Sequence, residues 1–526
     1  MATADIDRAL DTQHLDSLIA VLHDKKDEWA TLPIPEKMKL LLHSRSNLKE
    51  YAQEWVDASV KGKRIPPDSP WVGEEWTSGP WAIAAGINAY LETLESLAHG
   101  KVRMPKKVTV NGRGRTVAHV YPSNFYATLI TNGVHGEVWM QDGVTPNNLE
   151  EYTATFYNEQ NPAGKVALVL GAGNINSIAP LDVLYKLIAD GEVALLKLNP
   201  VNDYLGPILL KIFAPFVEAG YFNVSYGGGD VGAYLTNHPD VDSVHITGSG
   251  KTYDIIMYGP GEEGAARKAA NDPVFKKEIS SELGGVTPII VVPGDWSDAD
   301  IRFQAERIVT AKLHNAGCNC VAAQVIITDK DWDKRDALMA EIQRLLESIP
   351  PREAYYPGAG DRIQRAQDSY PEAVNASTGT PRILITDLDA SAAEACFTDE
   401  YFTTVLGETP LTANSPADFL RKAVVFANEQ LEGTLGASIL VDPKTAKALG
   451  SELENAIDDL RYGAIAINLW SGVAFLLAEC AWGGVAGQPE DDVQSGIGFV
   501  HNAYLFDKVE KSVVRGSFYS YPRGWL

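Results

Sequence analysis

The sequence predicts an α/β chain of two doubly wound units, each a mostly parallel sheet covered by helices on both faces, with a smaller β element beside them. Three observations predict it. At 526 residues the chain is too long for one ordinary hydrophobic core. From Gly164, and again from Pro288, short apolar runs alternate with amphipathic stretches, and such runs mark parallel strands buried on both faces by helices. Between Lys101 and Gly143 the pattern changes to β-type runs broken by Asn111-Gly112, a hairpin signal.

The elements follow in order. Leu15, Leu18, Ile19 and Leu22, then Leu40, Leu41 and Leu42 with Leu48, have helical spacing and make residues 1–100 a helical preface. VTV and TVAHVY form the hairpin. The first βα series reads VALVL, a helix through LDVLYKLIAD, VALLKL, a helix through ILLKIFAPFVEAG, FNVSY and VDSVHIT. The second reads IIVV, a helix through IRFQAERIVTAKLHN, VIIT, RILIT, ASILV and GAIAIN. The C-terminal VEKSVVRGSFYSYPRGWL alternates and ends in aromatics, which suits an edge strand pairing with another element or another subunit. Tyr462 to Ala481 is apolar over roughly the length of a membrane span, but Asn468, Glu479 and the alternating GAIAIN portion favour a buried strand and loop.

Composition excludes several classes of function. The 69 acidic against 45 basic residues give a net charge of -24, which repels nucleic-acid backbones and anionic membranes. A small anionic ligand can still bind where helix N-termini and a placed lysine outweigh the global field at short range. The four cysteines, Cys318, Cys320, Cys396 and Cys480, are too few and too late to staple a secreted scaffold. With an acidic, polar N-terminus in place of a signal peptide, they point to a reducing, cytoplasmic setting.

Four motifs carry candidate chemistry. Gly171-Ala172-Gly173 lies between a strand and a helix, where backbone can approach a ligand, although a third glycine is missing; Gly227, Gly229 and Gly232 satisfy G-x-G-x-x-G after FNVSY. TGSGKT, Thr247 to Thr252, ends like a phosphate loop but has His245 where the opening glycine belongs, leaving a strand-to-helix turn with free amides. Glu282 in SSELGGVTP is a solvated surface carboxylate or, among its small neighbours, a general base. Cys318-Asn319-Cys320 has no matching Cys or Cys/His pair for zinc; its glycine and polar neighbours suit an accessible nucleophilic thiol, while most free cysteines are inert core.

Taken together and in this order, these segments resemble the aldehyde dehydrogenase superfamily from about Gly164 to Val514. The resemblance implies a Rossmann-like cofactor domain, an α/β catalytic domain and a β oligomerisation element. Its divisions are a helical part of the cofactor domain at 1–100, the oligomerisation region at 101–163 and the dinucleotide-binding domain at 164–282. The catalytic domain follows at 283–485, with a return and C-terminal oligomerisation strand at 486–526. Asn315 and Gly317, five and three positions before it, identify Cys320 as the nucleophile. The ELGG segment implies Glu282 as general base, and Asn174, opening the helix after the first glycine turn, as oxyanion donor. Lys197 takes the adenosine-ribose position, Thr247, Gly248 and Ser249 the pyrophosphate turn, and Glu400 with Phe402 the nicotinamide-ribose segment. Gly228 and Leu283 complete the cofactor contacts. FANEQLEGTLGASI, AIAIN and WGG are also in family order.

The activity so implied is oxidation of an aldehyde to an acid with NAD or NADP, through a Cys320 thioester hydrolysed with Glu282, in a homodimer or homotetramer. Pro200 stands where many NAD-using members carry an acidic residue, so the choice of dinucleotide is open. EYFTTV lacks the usual Gly-Pro, and Leu469 to Leu477 looks inserted; there Trp470, Val473, Phe475, Leu476 and Leu477 either line the aldehyde entrance or pack as core. Alternatives are a CoA-acylating aldehyde dehydrogenase, or acyl-CoA reductase, and a catalytically silent relative.

Overall fold

The computed structural model describes residues 10–131, 133–377 and 379–519. The chain divides into two compact units. The first comprises Met1–Met104, Leu149–Leu283 and Gln488–Asp507; the second comprises Pro105–Asn148, Gly284–Gly487 and Lys508–Leu526.

The first unit is organised on a six-stranded sheet in the order Gly496–Ile497, Glu278–Leu283, Ser243–Gly248, Val166–Leu170, Val193–Lys197, Phe222–Ser225. All neighbours are parallel except the first pair. Val166, Ala167, Leu168, Val169, Val193, Ala194, Leu195 and Leu196 are completely buried, as strands covered on both faces require. The helical preface is present as Thr12–Thr31, Ile34–Gly62 and Ala82–Ala98. Asp11 caps the first of these by accepting from the His14 amide at 3.1 Å. Leu15, Ile19, Leu22, Leu41 and Leu48 are buried, whereas Leu42, off the stripe, stays exposed. The helix expected through ILLKIFAPFVEAG is two pieces, Gly206–Ile212 and Ala214–Glu218, broken at Phe213 where Pro215 cannot continue the amide ladder.

The second unit carries an eleven-stranded mixed sheet. From one edge it runs Lys107–Val110, Thr116–Tyr121, His135–Met140, Val509–Arg515, Ala464–Ile467, Gly436–Leu440, Thr287–Val291, Ala323–Asp329, Val405–Leu411, Ile383–Ile385 and Val374–Asn375. The hairpin expected at Asn111-Gly112 forms, but the loop spans five residues and Gly114, not Gly112, adopts positive φ (88°). Asn111 Oδ1 closes that loop by accepting from the amides of Arg113 and Arg115, both at 3.0 Å.

The C-terminal strand differs from expectation. Val509–Arg515 is not an edge: it pairs in parallel with Ala464–Ile467 and antiparallel with His135–Met140, so both of its hydrogen-bonding edges are taken within the chain. Residues 520–526 of that segment lie outside the described residues. The strand Val405–Leu411 escapes the sequence pattern because VLGETPL places Glu408 in its middle. That carboxylate is fully buried yet neutralised by Arg335, 2.8 Å away. Tyr462 to Ala481 forms the strand Ala464–Ile467 and the short helix Gly472–Leu476. Among the described residues no helix is long and apolar enough to cross a membrane.

Candidate active site

In the second unit the helix Asp298–Leu313 starts at a reciprocal cap between Ser297 and Asp300 and delivers the chain to His314–Gly317. Asn315, Ala316 and Gly317 then take left-handed backbone in succession, with φ of 54°, 56° and 74°. Such a run costs energy at its non-glycine members and persists only where the surroundings hold it. Here the holding groups are visible. Asn315 Nδ2 donates to the Cys318 carbonyl at 2.7 Å and to Tyr355 Oη at 3.0 Å. Asn319 Oδ1 accepts from the Val321 amide at 3.0 Å, and Asn319 Nδ2 lies 3.1 Å from His314 Nδ1. Trp470 closes the turn: its indole donates to the Val321 carbonyl at 2.7 Å, and its ring lies 5.1 Å from His314. Phe475, farther along the apolar run before WGG, packs edge-on against Trp482 at 5.4 Å.

This turn separates the thiols. Cys318, Cys396 and Cys480 are completely buried, whereas Cys320 keeps partial exposure. Burial pushes the Cys396 thiol up to about 12 and raises Cys480 as well, which leaves both inert as nucleophiles at neutral pH.

Glu400 and Phe402 lie in the same unit. Burial pushes the Glu400 carboxyl up to about 7, opposed by the Gly285 amide that donates to it. Its Oε1 is enclosed with no hydrogen-bond partner among the described residues. A Cβ on Gly284 would stand 2.2 Å from both Glu400 oxygens, so only glycine admits the carboxylate there. Phe402 has φ of 47°, and its ring packs against Tyr356 at 5.1 Å. One group escaped sequence reasoning: Lys312, one turn before the cysteine segment, is buried and donates to the Thr403 carbonyl at 3.0 Å. A lysine amid the apolar stripe of its helix was the available signal.

The first unit holds the remaining candidates at the C-terminal ends of parallel strands, where α/β sheets bind ligands. Glu282 sits on the strand Glu278–Leu283, register partner of Thr247, and is only 2% exposed. The solvated-surface reading of Glu282 therefore fails. Leu283 is buried and pairs with Gly248. Lys197 ends its strand, is 9% exposed, and burial pushes its ammonium down to about 8, opposed by Asp230. Gly228 precedes the helix Gly229–Asn237, while Ser249 caps Gly250–Tyr258 by accepting from the Thr252 amide at 3.2 Å.

Asn174 requires a correction. The helix after the first glycine turn begins at Ile178, so Asn174 lies within the turn and does not open the helix. The turn is tightly held: Asn202 Nδ2 donates to the Ala172 carbonyl at 3.0 Å, and Asn176 Nδ2 to Ser59 Oγ at 2.8 Å. Asn174 is 5% exposed.

Each unit holds groups whose chemistry suits part of a dinucleotide. In the first unit Lys197 offers a charged donor, and Gly229 and Gly250 begin helices whose first amides have no intrahelical acceptor; in the second, Glu400 offers an enclosed acceptor. No cluster of three or more His, Cys, Asp or Glu side chains able to hold a metal ion occurs among the described residues.

Comparison with known proteins places these groups in context. Residues 88–354 match the model of the aldehyde dehydrogenase family. Two Staphylococcus aureus proteins, of strains MSSA476 and MW2, each named "Putative aldehyde dehydrogenase", are 34% identical over 168 residues. That match spans 32% of this chain and 32% of the relatives' length. An NAD-dependent aldehyde dehydrogenase from Sinorhizobium meliloti superimposes with a TM-score of 0.63 at 18% identity, over 95% of this chain and 86% of its own. An NADP-dependent glyceraldehyde-3-phosphate dehydrogenase from Bacillus halodurans C-125, complexed with NADP, gives 0.63 at 17%, over 96% and 92%. At such identity these two structures establish the shared fold.

Proposed function

The chain belongs to the aldehyde dehydrogenase family, and from that premise we propose that it oxidises an aldehyde to a carboxylic acid with NAD or NADP, through a covalent thioester on Cys320. The observation that carries this reading is the cysteine turn: three left-handed residues present the one cysteine of four that is not buried.

The residues divide the work by chemistry. Cys320 as thiolate adds to the aldehyde carbon, and the resulting oxyanion is held by the Asn174 side-chain amide and the Cys320 backbone N–H. The dinucleotide, when bound, supplies the hydride acceptor. Lys197 and Glu400 would hold it at its two riboses, with Phe402 beside the second, and Gly228, Thr247, Gly248, Ser249 and Leu283 would line its path. Glu282 then takes a proton from water, the water oxygen bonds to the thioester carbon, and the carbon–sulfur bond breaks to release acid and thiolate.

Absorbance of reduced nicotinamide, followed with both dinucleotides and an aldehyde panel, tests the proposal. Wild type is expected to turn over, Cys320→Ala to lose activity by several orders of magnitude, and Glu282→Gln to stall as the acyl-enzyme, visible as a mass increment on Cys320. Normal turnover in Cys320→Ala overturns the assignment. Turnover only when CoA is added replaces water with a thiol as acceptor. A homodimer or homotetramer in the reducing cytoplasm belongs to the same proposal; light scattering measures the assembly.

A further inference from the structure

On one face of the first unit's sheet a polar column joins Thr247 and Glu282 to three groups with no role so far, His245, Ser280 and Asp182. His245 and Ser280 are register partners on neighbouring parallel strands, as are Thr247 and Glu282. Register partners and residues two apart project to the same face, so all four side chains share it. His245 Nδ1 lies 2.8 Å from Ser280 Oγ, and His245 Nε2 lies 3.3 Å from Thr247 Oγ1. Thr247 Oγ1 donates to Asp182 Oδ2 at 3.0 Å, Asp182 coming from the covering helix Ile178–Ile188. Asp182 is completely buried, and His245, Thr247 and Glu282 are 2%, 8% and 2% exposed. Such groups are costly in a sheet core unless bonded, and the neighbouring strand offers only Val169 beside His245.

The bonding directions follow from donor inventory. A carboxylate only accepts, so the single hydrogen of the Thr247 hydroxyl goes to Asp182. His245 then donates from Nε2 into Thr247 Oγ1, and Ser280 donates into Nδ1, which assigns the tautomer. Every hydrogen in the column runs toward Asp182. Thr247 is left with an outward lone pair and no outward hydrogen.

We propose that Asp182 and His245 are positioning residues that lock Thr247 as a hydrogen-bond acceptor beside Glu282, so that the hydrolytic water is gripped through both its hydrogens. This rests on the role proposed for Glu282. One hydrogen goes to the Glu282 carboxylate and the other to Thr247 Oγ1, which leaves an oxygen lone pair for the thioester carbon. As that oxygen–carbon bond forms, the first hydrogen passes to Glu282 as a proton, and the carbon–sulfur bond then breaks with the electron pair leaving on sulfur. Were the Thr247 hydroxyl free to rotate, it would donate to the water instead, drawing electron density from the attacking oxygen and leaving one water hydrogen unheld.

The full chain acting on p-nitrophenyl acetate, without dinucleotide, tests the inference: the burst reports acylation of Cys320 and the steady state reports hydrolysis. Thr247→Val is expected to slow the steady state by about 10-fold or more, with the loss falling on that phase and not on the burst. Thr247→Ser restores what Val removes, and Asp182→Asn, which can turn its amide N–H toward Thr247, slows hydrolysis in the same phase. Glu282→Gln combined with Thr247→Val should lose little more than Glu282→Gln alone, because both grip one water. If Glu282→Gln slows hydrolysis while Thr247→Val and Asp182→Asn do not, the positioning inference fails alone. If Glu282→Gln itself leaves hydrolysis unchanged, the general-base reading fails with it.

Discussion

Gly317 and Thr403 touch backbone to backbone: a Cβ on Gly317 would stand 2.5 Å from the Thr403 carbonyl carbon, at a residue whose φ is 74°. Both the close approach and the left-handed conformation require glycine. Gly317→Ala is therefore expected to destabilise the protein by about 1–3 kcal/mol and to distort the turn that presents Cys320. Thermal unfolding and the rate of Cys320 alkylation measure the two effects; an alanine variant that keeps both at wild-type values would show that the turn tolerates a side chain.

Thiol labelling should be selective. Because Cys318, Cys396 and Cys480 are buried and Cys320 is not, native protein treated with iodoacetamide is expected to take up one equivalent, on Cys320, as peptide mass spectrometry would locate. Cys320→Ala should abolish that uptake. Equal labelling of Cys318 would contradict the structure of the turn.

Dinucleotide affinity should pass through a maximum with pH. Glu400, pushed up to about 7, is a stronger acceptor for a ribose hydroxyl hydrogen when ionised, so affinity rises as pH climbs through about 7. Lys197, pushed down to about 8, donates as an ammonium only below that value, so affinity falls above it. The cofactor KM is expected to be lowest between the two. Glu400→Gln removes the acid limb and Lys197→Met the alkaline limb; if neither variant alters its limb, other groups control binding.

Lys312 links stability to alkaline pH. Burial pushes it from 10.5 down to about 8, so between those values folding releases a proton and stability rises with pH. Below about 8 the folded protein carries the full cost of the buried ammonium, about 1.4 kcal/mol for each unit of depression. Lys312→Met removes that cost along with the bond to Thr403. Urea unfolding should therefore favour the variant relative to wild type most strongly below pH 8, with the margin shrinking toward pH 10. A margin independent of pH would place the proton elsewhere.

The sequence by itself determined what depends on local pattern. Continuous apolar runs such as VALVL and VALLKL identified strands covered on both faces, because only burial on both sides removes the polar alternation. The ordered motifs singled out Cys320, Glu282 and Lys197. Strands whose polar residues are satisfied by distant partners were illegible. Glu408 reads as a surface residue until Arg335 is brought beside it, and the burial of Glu282, though not its candidacy, waits until its strand is laid against Thr247. The C-terminal strand reads as an edge, because its second neighbour, His135–Met140, lies hundreds of residues away in the chain. His245, which in the sequence only spoils a phosphate-loop pattern, acquires a role once Asp182, Thr247 and Ser280 surround it. Those decisions belong to tertiary structure for one physical reason: the cost of burying a polar group depends on the partner it meets, and local sequence does not name that partner.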